Sequence, residues 1–146
     1  QVVISGHKEA VEKANSALSE QGAKRCIMLP VSAPFHSPLM EPAALVMDEA
    51  LGTVDFKAPL ALPVMNVTAF PLDSSAQVRP LLVQQITGRV RWRESVEYMF
   101  NQGITHFVEV GAGKVLSGLN RKIAPDCGVS NLATPEDLDT FFKNHS

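Results

Sequence analysis

The alternation of short apolar runs with stretches of helical periodicity limits the folds open to this chain more than any other feature. Residues 2–5, 24–31 and 61–69 are apolar and typical of buried strands. Between the first two runs, residues 7–21 place alanine, valine and leucine side chains on one face at helical spacing and stop before Gly22. Strands that alternate with helices predict an α/β protein with a largely parallel sheet.

The remainder of the chain continues this alternation. A strand over residues 105–113 runs into a glycine turn, and another begins at Gly128, before a C-terminal helix with Thr134 as its N-cap. A proline-rich turn near residues 30–34 is the only candidate domain boundary in the sequence. Further helices are predicted over residues 38–51, 80–87, 89–103 and 114–123.

Composition excludes several classes of partner and of site. The chain has 146 residues, 45% of them hydrophobic, and a formal net charge of −2, which is typical of a globular domain and does not favour nucleic acid as a partner. Its apolar runs are too short to span a membrane. Cys26 and Cys127 belong to no metal or disulfide pattern, so both are predicted to be free thiols in a reducing compartment, the cytoplasm.

His36 is the histidine whose position in the sequence suggests chemistry. It lies between Phe35 and Ser37, directly before a predicted helix with Ser37 as N-cap and Pro38 as first residue. The partial positive charge of a helix N-terminus disfavours imidazolium and keeps the ring in the neutral form that a general base requires. Spacing alone nevertheless favours a histidine that simply packs at a turn. The other histidines, which lack metal-ligand spacing and are interpreted as surface or structural residues, are His7, His106 and His145.

A base at His36 would need a nucleophile, and the sequence does not contain a recognisable one. The strand–turn–helix elbow GxSxG is absent, and the nearest match, residues 128–132, lacks the second glycine. Ser32 and Ser37 flank the histidine on an ordinary turn, where capping explains them better than attack on a substrate. The pattern therefore predicts a base without its alcohol partner.

Two further segments permit a functional and a structural interpretation. Residues 109–119 (EVGAGKVLSGL) resemble a glycine turn that cradles phosphate, but the third glycine is missing and close strand–helix packing is the favoured explanation. Arg89, Arg91 and Arg93 surround Trp92 at a loop–helix junction, which is either solvated or suited to an acidic partner surface.

Several segments together resemble one enzyme family. They fall in that family's order and spacing, they cover nearly the whole chain, and in combination they are highly specific. The chain is similar to the C-terminal half of bacterial malonyl-CoA:acyl carrier protein transacylases. The segments are VVISGHKEAVEKA, LPVSAPFHSPLMEPA, PVMNVTA, LLVQQITGRVRWRESVEYM and HFVEVGAGKVLSGL.

The resemblance implies a fold and an activity. Residues 1–31 would form the β-α-β portion of a small ferredoxin-like subdomain, and residues 32–146 the C-terminal portion of a large α/β-hydrolase-like acyltransferase subdomain. The enzymes of the family move malonyl from coenzyme A to the phosphopantetheine thiol of acyl carrier protein, by a Ser–His ping-pong mechanism in fatty acid biosynthesis. The implied partners are malonyl-CoA and acyl carrier protein, and no cofactor, metal, nucleic acid or membrane is implied.

The resemblance also assigns roles to individual residues. His36 corresponds to the catalytic histidine, and Gln85 to the residue whose main-chain carbonyl accepts the imidazole Nδ1–H. Phe35 corresponds to an aromatic that goes with malonyl selectivity, and Asn66 and Val115 correspond to positions at the substrate cleft.

The family's N-terminal half has no counterpart in this sequence. That half supplies the serine nucleophile, an oxyanion-hole donor and the arginine that pairs with the malonyl carboxylate. Because the chain opens at Gln1 within an apolar run, it is interpreted as a piece of a longer protein that works together with the N-terminal portion and is inactive alone. The alternatives are the matching portion of a polyketide synthase acyltransferase and a non-catalytic α/β interaction module.

Overall fold

The structure is a computed structural model that describes residues 2–144, so the predictions for Gln1 and His145 lie outside the described residues. Within this range the chain forms six α-helices and two β-strands, which confirms the α/β class. Single-turn 3₁₀ helices at Pro38–Met40 and Ser75–Gln77 lead directly into the second and third α-helices. The elements are α1 (Lys8–Glu20), α2 (Glu41–Leu51), α3 (Val78–Thr87), α4 (Trp92–Asn101), β1 (His106–Val110), α5 (Val115–Ile123), β2 (Gly128–Leu132) and α6 (Pro135–Asn144).

The chain divides into two compact units, an N-terminal unit that ends at Val90 and a C-terminal unit that begins at Arg91. The subdomain boundary expected after residue 31 stays a prediction. None of the helices within residues 2–144 is long and apolar enough to cross a membrane.

The C-terminal unit is a parallel β-α-β arrangement with a small core. Strands β1 and β2 pair in parallel from His106↔Gly128 to Val110↔Leu132, as the alternating sequence pattern predicts. Val96 is fully buried between the strands and helices of this unit, together with Ala124 and Cys127. The residues that cover this core are Trp92, Met99, Phe107 and Ile123.

In the N-terminal unit, α2 packs against α3. Ala44 of α2 is buried, and Arg79 of α3 donates from Nε to Asp48 Oδ1 at 2.7 Å, so an ion pair joins the two helices. Helices α2 and α3 together position His36 and its hydrogen-bond partner.

Three predicted strands are wrong. Residues 2–5 and 24–31 form no strand among the described residues, because neither segment pairs with a neighbouring strand there, and their large apolar side chains stay exposed, from 44% at Ile4 to 90% at Val2. Residues 61–69 form a tight turn instead, with a single antiparallel bridge between Val64 and Pro71. An apolar run becomes a strand only when another strand satisfies its main-chain groups.

Candidate active site

His36 lies in a strained turn between Pro34 and the 3₁₀ helix. Its φ is 60°, the left-handed region that a residue with a Cβ seldom adopts and that is enriched at functional sites. Ser37 is 5% exposed and donates from Oγ to the Pro34 carbonyl at 2.7 Å, which braces the turn. Ser37 occupies the N-cap position of the 3₁₀ helix, but its side chain accepts no cap hydrogen bond, so the predicted capping by its hydroxyl is wrong.

The exposed imidazole of His36 is held by the main chain of Gln85. His36 Nδ1 lies 2.9 Å from the Gln85 carbonyl oxygen. Gln85 is in the last turn of α3, where carbonyls lack intrahelical partners and are free to accept. A carbonyl can only accept, so Nδ1 carries the hydrogen, and in the neutral ring Nε2 then holds the lone pair that can take a proton.

Gln85 is in turn contacted through its side chain. Asn66 Nδ2 donates to Gln85 Oε1 at 3.1 Å, and both residues are half-buried. Asn66 belongs to a tight turn that is closed by the Met65 N–H donating to the Phe70 carbonyl at 3.0 Å. One continuous set of contacts therefore runs from this turn through Gln85 to the histidine ring.

The two remaining predicted site residues are placed differently. Phe35 is 46% exposed and adjoins His36 in the chain. Val115 is the first residue of α5 in the C-terminal unit and is 73% exposed. The structure thus brings both His36 and Asn66 into contact with Gln85, while the roles of all five predicted residues stay predictions.

His36 and Phe35 also line a broad groove of about 1390 Å³ in the N-terminal unit. The rest of its wall comes from α1 and from the two extended segments on either side of that helix, residues 2–7 and 25–34. Because these segments leave main-chain groups and apolar side chains available, the groove can accept additional polypeptide.

The glycine turn after β1 carries no free anion site, because a side chain occupies it. Gly111 and Gly113 adopt φ of 127° and 92°, which lets the chain turn into α5. Glu109 then accepts from the N–H groups of Leu116 at 3.2 Å and Ser117 at 2.7 Å. Close strand–helix packing, the explanation favoured from the sequence, is wrong for these glycines: an added Cβ at Gly111, Gly113 or Gly118 would meet no heavy atom within 4 Å, and the positive φ of Gly111 and Gly113 is what requires glycine there.

Glu109 is a residue that the sequence analysis missed, although an acidic residue just before a glycine turn and a helix was a usable signal. The Ser117 hydroxyl and main-chain N–H, together with the Leu116 N–H, lower the pKa of the Glu109 carboxyl below its ordinary value. The Ser117 Oγ is buried, and the hydrogen bonds to the Glu109 carboxylate come from the main-chain N–H groups of Leu116 and Ser117.

Arg91, at the N-cap of α4, and Arg93, within α4, have acidic neighbours about one turn further along the helix. Arg91 Nε lies 3.3 Å from Glu94 Oε1, and Arg93 Nε lies 3.6 Å from Glu97 Oε1. Their role in docking an acidic partner stays a prediction. Within residues 2–144, no group of three or more histidine, cysteine, aspartate and glutamate side chains is arranged to hold a metal ion.

Comparison with known proteins identifies relatives by sequence, although no family model matches the chain. The malonyl CoA-acyl carrier protein transacylase of Escherichia coli strain K12 is 46% identical over 138 residues, which are 94% of this chain and 45% of that protein. The enzyme of the same name from Bacillus subtilis strain 168 is 40% identical over 139 residues, covering 95% and 44% of the two chains.

Solved structures give the same result. The acyl-carrier-protein-S-malonyltransferase of Bartonella henselae superposes with a TM-score of 0.89 at 45% identity, over 95% of this chain and 44% of that one. A malonyl-transacylase in complex with a type II polyketide synthase acyl-carrier protein has a TM-score of 0.90 at 37% identity, over 95% and 45% of the chains. The chain thus spans less than half the length of these relatives, and its resemblance to their C-terminal portion, predicted from the sequence, is confirmed.

Proposed function

We propose that this chain, which matches the C-terminal portion of malonyl-CoA:acyl carrier protein transacylases over nearly its whole length, supplies the general base of such an enzyme. The complete enzyme would transfer malonyl from coenzyme A to the phosphopantetheine thiol of acyl carrier protein in fatty acid biosynthesis. The observation that carries the proposal is the 2.9 Å contact between His36 Nδ1 and the Gln85 carbonyl. The names and sequence identities of the relatives support the choice of reaction.

In the proposed mechanism His36 serves first as base and then as acid. Its Nε2 takes the proton of a serine hydroxyl supplied by the N-terminal portion, and the serine oxygen bonds to the malonyl thioester carbon. The carbon–sulfur bond then breaks, and the imidazolium returns the proton to the departing coenzyme A sulfur. In the second half-reaction His36 takes the proton of the phosphopantetheine thiol, whose sulfur attacks the serine ester, and the proton returns to the serine oxygen.

The Gln85 carbonyl suits this role physically. A neutral acceptor at Nδ1 fixes the ring orientation and tautomer without adding a negative charge to the site. Because that acceptor is main chain, it is preserved when the Gln85 side chain is changed. Phe35 and Val115 are proposed to contact the substrate.

The proposal includes the finer domain assignment and the missing partner. Residues 1–31 are assigned to a ferredoxin-like subdomain and residues 32–146 to an α/β-hydrolase-like subdomain. The groove beside His36, with its unpaired extended segments, supports docking of the N-terminal portion. The fact that the relatives are more than twice as long as the matched region is consistent with this assignment.

The test is a substitution in the enzyme assembled from both portions. His36→Ala should slow malonyl loading of acyl carrier protein by at least about 100-fold, because a positioned general base contributes about 10² to 10⁴ in rate. His106→Ala, a change of an exposed histidine outside the groove, is the matched control and should keep the wild-type rate. A near-wild-type rate for His36→Ala would refute the assignment of the base.

A second candidate is the loading of a polyketide carrier protein, favoured by the structure of a related malonyl-transacylase bound to such a carrier. Assays with both kinds of carrier protein separate the two functions. The first proposal predicts the higher kcat/KM with the fatty acid carrier, and the reverse order would favour the second.

A further inference from the structure

We infer that Asn66 is a positioning residue, which orients the His36 ring by holding the side chain of Gln85. The inference rests on the proposed function and revises the substrate-contact role that the family resemblance assigns to Asn66. The observations behind it are two hydrogen bonds that Gln85 accepts, one with its main-chain carbonyl and one with its side chain. The Gln85 carbonyl oxygen accepts from His36 Nδ1 at 2.9 Å, and Gln85 Oε1 accepts from Asn66 Nδ2 at 3.1 Å.

A carbonyl at the end of a helix needs such an anchor. The carbonyls of the last helical turn have no intrahelical partner, and helix ends open more readily than helix centres. Gln85 is followed by only two more residues of α3. A hydrogen bond to its side chain restrains the residue as a whole and therefore also the direction of its carbonyl.

Asn66 belongs to a turn whose other residues are well packed. Its neighbour Met65 is 9% exposed, and Ala69, which closes the same turn by donating to the Met65 carbonyl at 2.8 Å, is 3% exposed. Ala69 also holds a left-handed φ of 60°, so the turn is fixed by packing. The amide of Asn66 is therefore presented to Gln85 from a well-packed position.

The α3 end and this turn approach each other closely at a second point. A Cβ at Gly88 would lie 3.0 Å from Val67 Cγ1, so the absence of a side chain at Gly88 permits the approach. Since Val67 directly follows Asn66, this contact keeps the Asn66 amide within reach of Gln85.

The experiment is a double-mutant cycle in the enzyme assembled from both portions, with Asn66→Ala, Gln85→Ala and the double variant. Gln85→Ala is a clean probe because it removes Oε1 and keeps the main-chain carbonyl. Each single change should lower kcat for malonyl transfer about fivefold and leave the KM for malonyl-CoA unchanged, since one net neutral hydrogen bond is lost. The double variant should also lose about fivefold, because both changes remove the same contact.

The second readout is the tautomer of the His36 ring, followed by ¹⁵N NMR of the imidazole nitrogens at about pH 8.5, above the ordinary titration range of histidine. Wild type should show the hydrogen on Nδ1, and Asn66→Ala should shift the population towards Nε2–H. Asn66→Leu, which has a similar volume and no N–H, should behave like Asn66→Ala. Asn101→Ala, at an exposed position of α4, is the matched control and should leave both readouts unchanged.

Three results would overturn the inference: an unchanged kcat with a raised KM, a double variant that loses about 25-fold, or a tautomer population that does not respond to either Asn66 change. The tautomer measurement does not depend on the reaction. If the wild-type enzyme does not transfer malonyl, the proposed function fails while the NMR result still decides the role of Asn66.

Discussion

At the scale of single residues, the candidate site depends on backbone conformations that cannot be predicted from the residue types. The position of His36 before a predicted helix suggests a functional role. Its left-handed φ of 60° could not be predicted in the same way, because neither neighbour, Phe35 or Ser37, is a glycine that would indicate such a turn. Likewise, no local pattern joins His36 to Gln85, because the contact spans 49 positions and uses a main-chain atom. Family resemblance predicted both residues and the contact between Nδ1 and the carbonyl, whereas the left-handed φ of His36 and the hydrogen bond from Asn66 to Gln85 required the fold.

Substitution of Gly88 tests the close packing between the end of α3 and the turn that carries Asn66. A Cβ there would lie 2.7 Å from the Gln84 carbonyl oxygen, besides its close contact with Val67. Gly88→Ala should therefore lower the free energy of unfolding by about 1–3 kcal/mol, the usual effect of overpacking, measured by urea denaturation. Gly118→Ala is the matched control, since no heavy atom lies within 4 Å of its added Cβ. Equal stabilities of the two variants would contradict the account.

At the scale of elements, regular periodicity was the reliable signal and apolar content alone was not. The sequence predicted α5 and the parallel β1–β2 pair, because each strand finds its neighbour within the chain. The apolar segments 2–5 and 24–31 carry a similar signal but remain unpaired among the described residues. Strand formation depends on a partner, which a local pattern cannot reveal.

The start of α5 supplies a pH prediction. The folded-state pKa of Glu109 lies below its ordinary value of 4.5, so the unfolded chain binds the proton more readily. The carboxylate therefore stabilises the fold above pH 4.5, and this contribution is lost as the pH falls through the lowered pKa. Glu109→Gln should unfold at a lower temperature than wild type at pH 7, and the difference should shrink towards pH 3.

The control for this experiment is internal. The pKa of Asp137 is also lowered, first by the Ala133 N–H and then by the Thr134 N–H, but Asp137 is present in both proteins and cancels in the difference. A difference in melting temperature that is constant from pH 7 to pH 3 would show that the Glu109 charge does not stabilise α5.

At the scale of the whole molecule, the proposed enzyme needs more polypeptide than this chain. Hydrogen exchange tests where that polypeptide binds. On adding the N-terminal portion, amide exchange in residues 24–31 should slow, because the N–H groups of this segment, apart from that of Val31, which already donates to the Leu29 carbonyl, would gain partners. Exchange in the last two turns of α4 is the internal control, since these amides already donate within the helix. Unchanged exchange in residues 24–31 of the active assembly would place the partner elsewhere.

The central claim, that His36 activates a serine for acyl transfer, is tested most directly by the mass of the malonyl-enzyme. The assembled enzyme is mixed with malonyl-CoA without carrier protein, and intact-protein mass spectrometry follows the covalent ester over time. Wild type and His106→Ala should acquire one malonyl group per molecule rapidly, whereas His36→Ala should acquire it at least about 100-fold more slowly. Equally fast malonylation of His36→Ala would contradict the account.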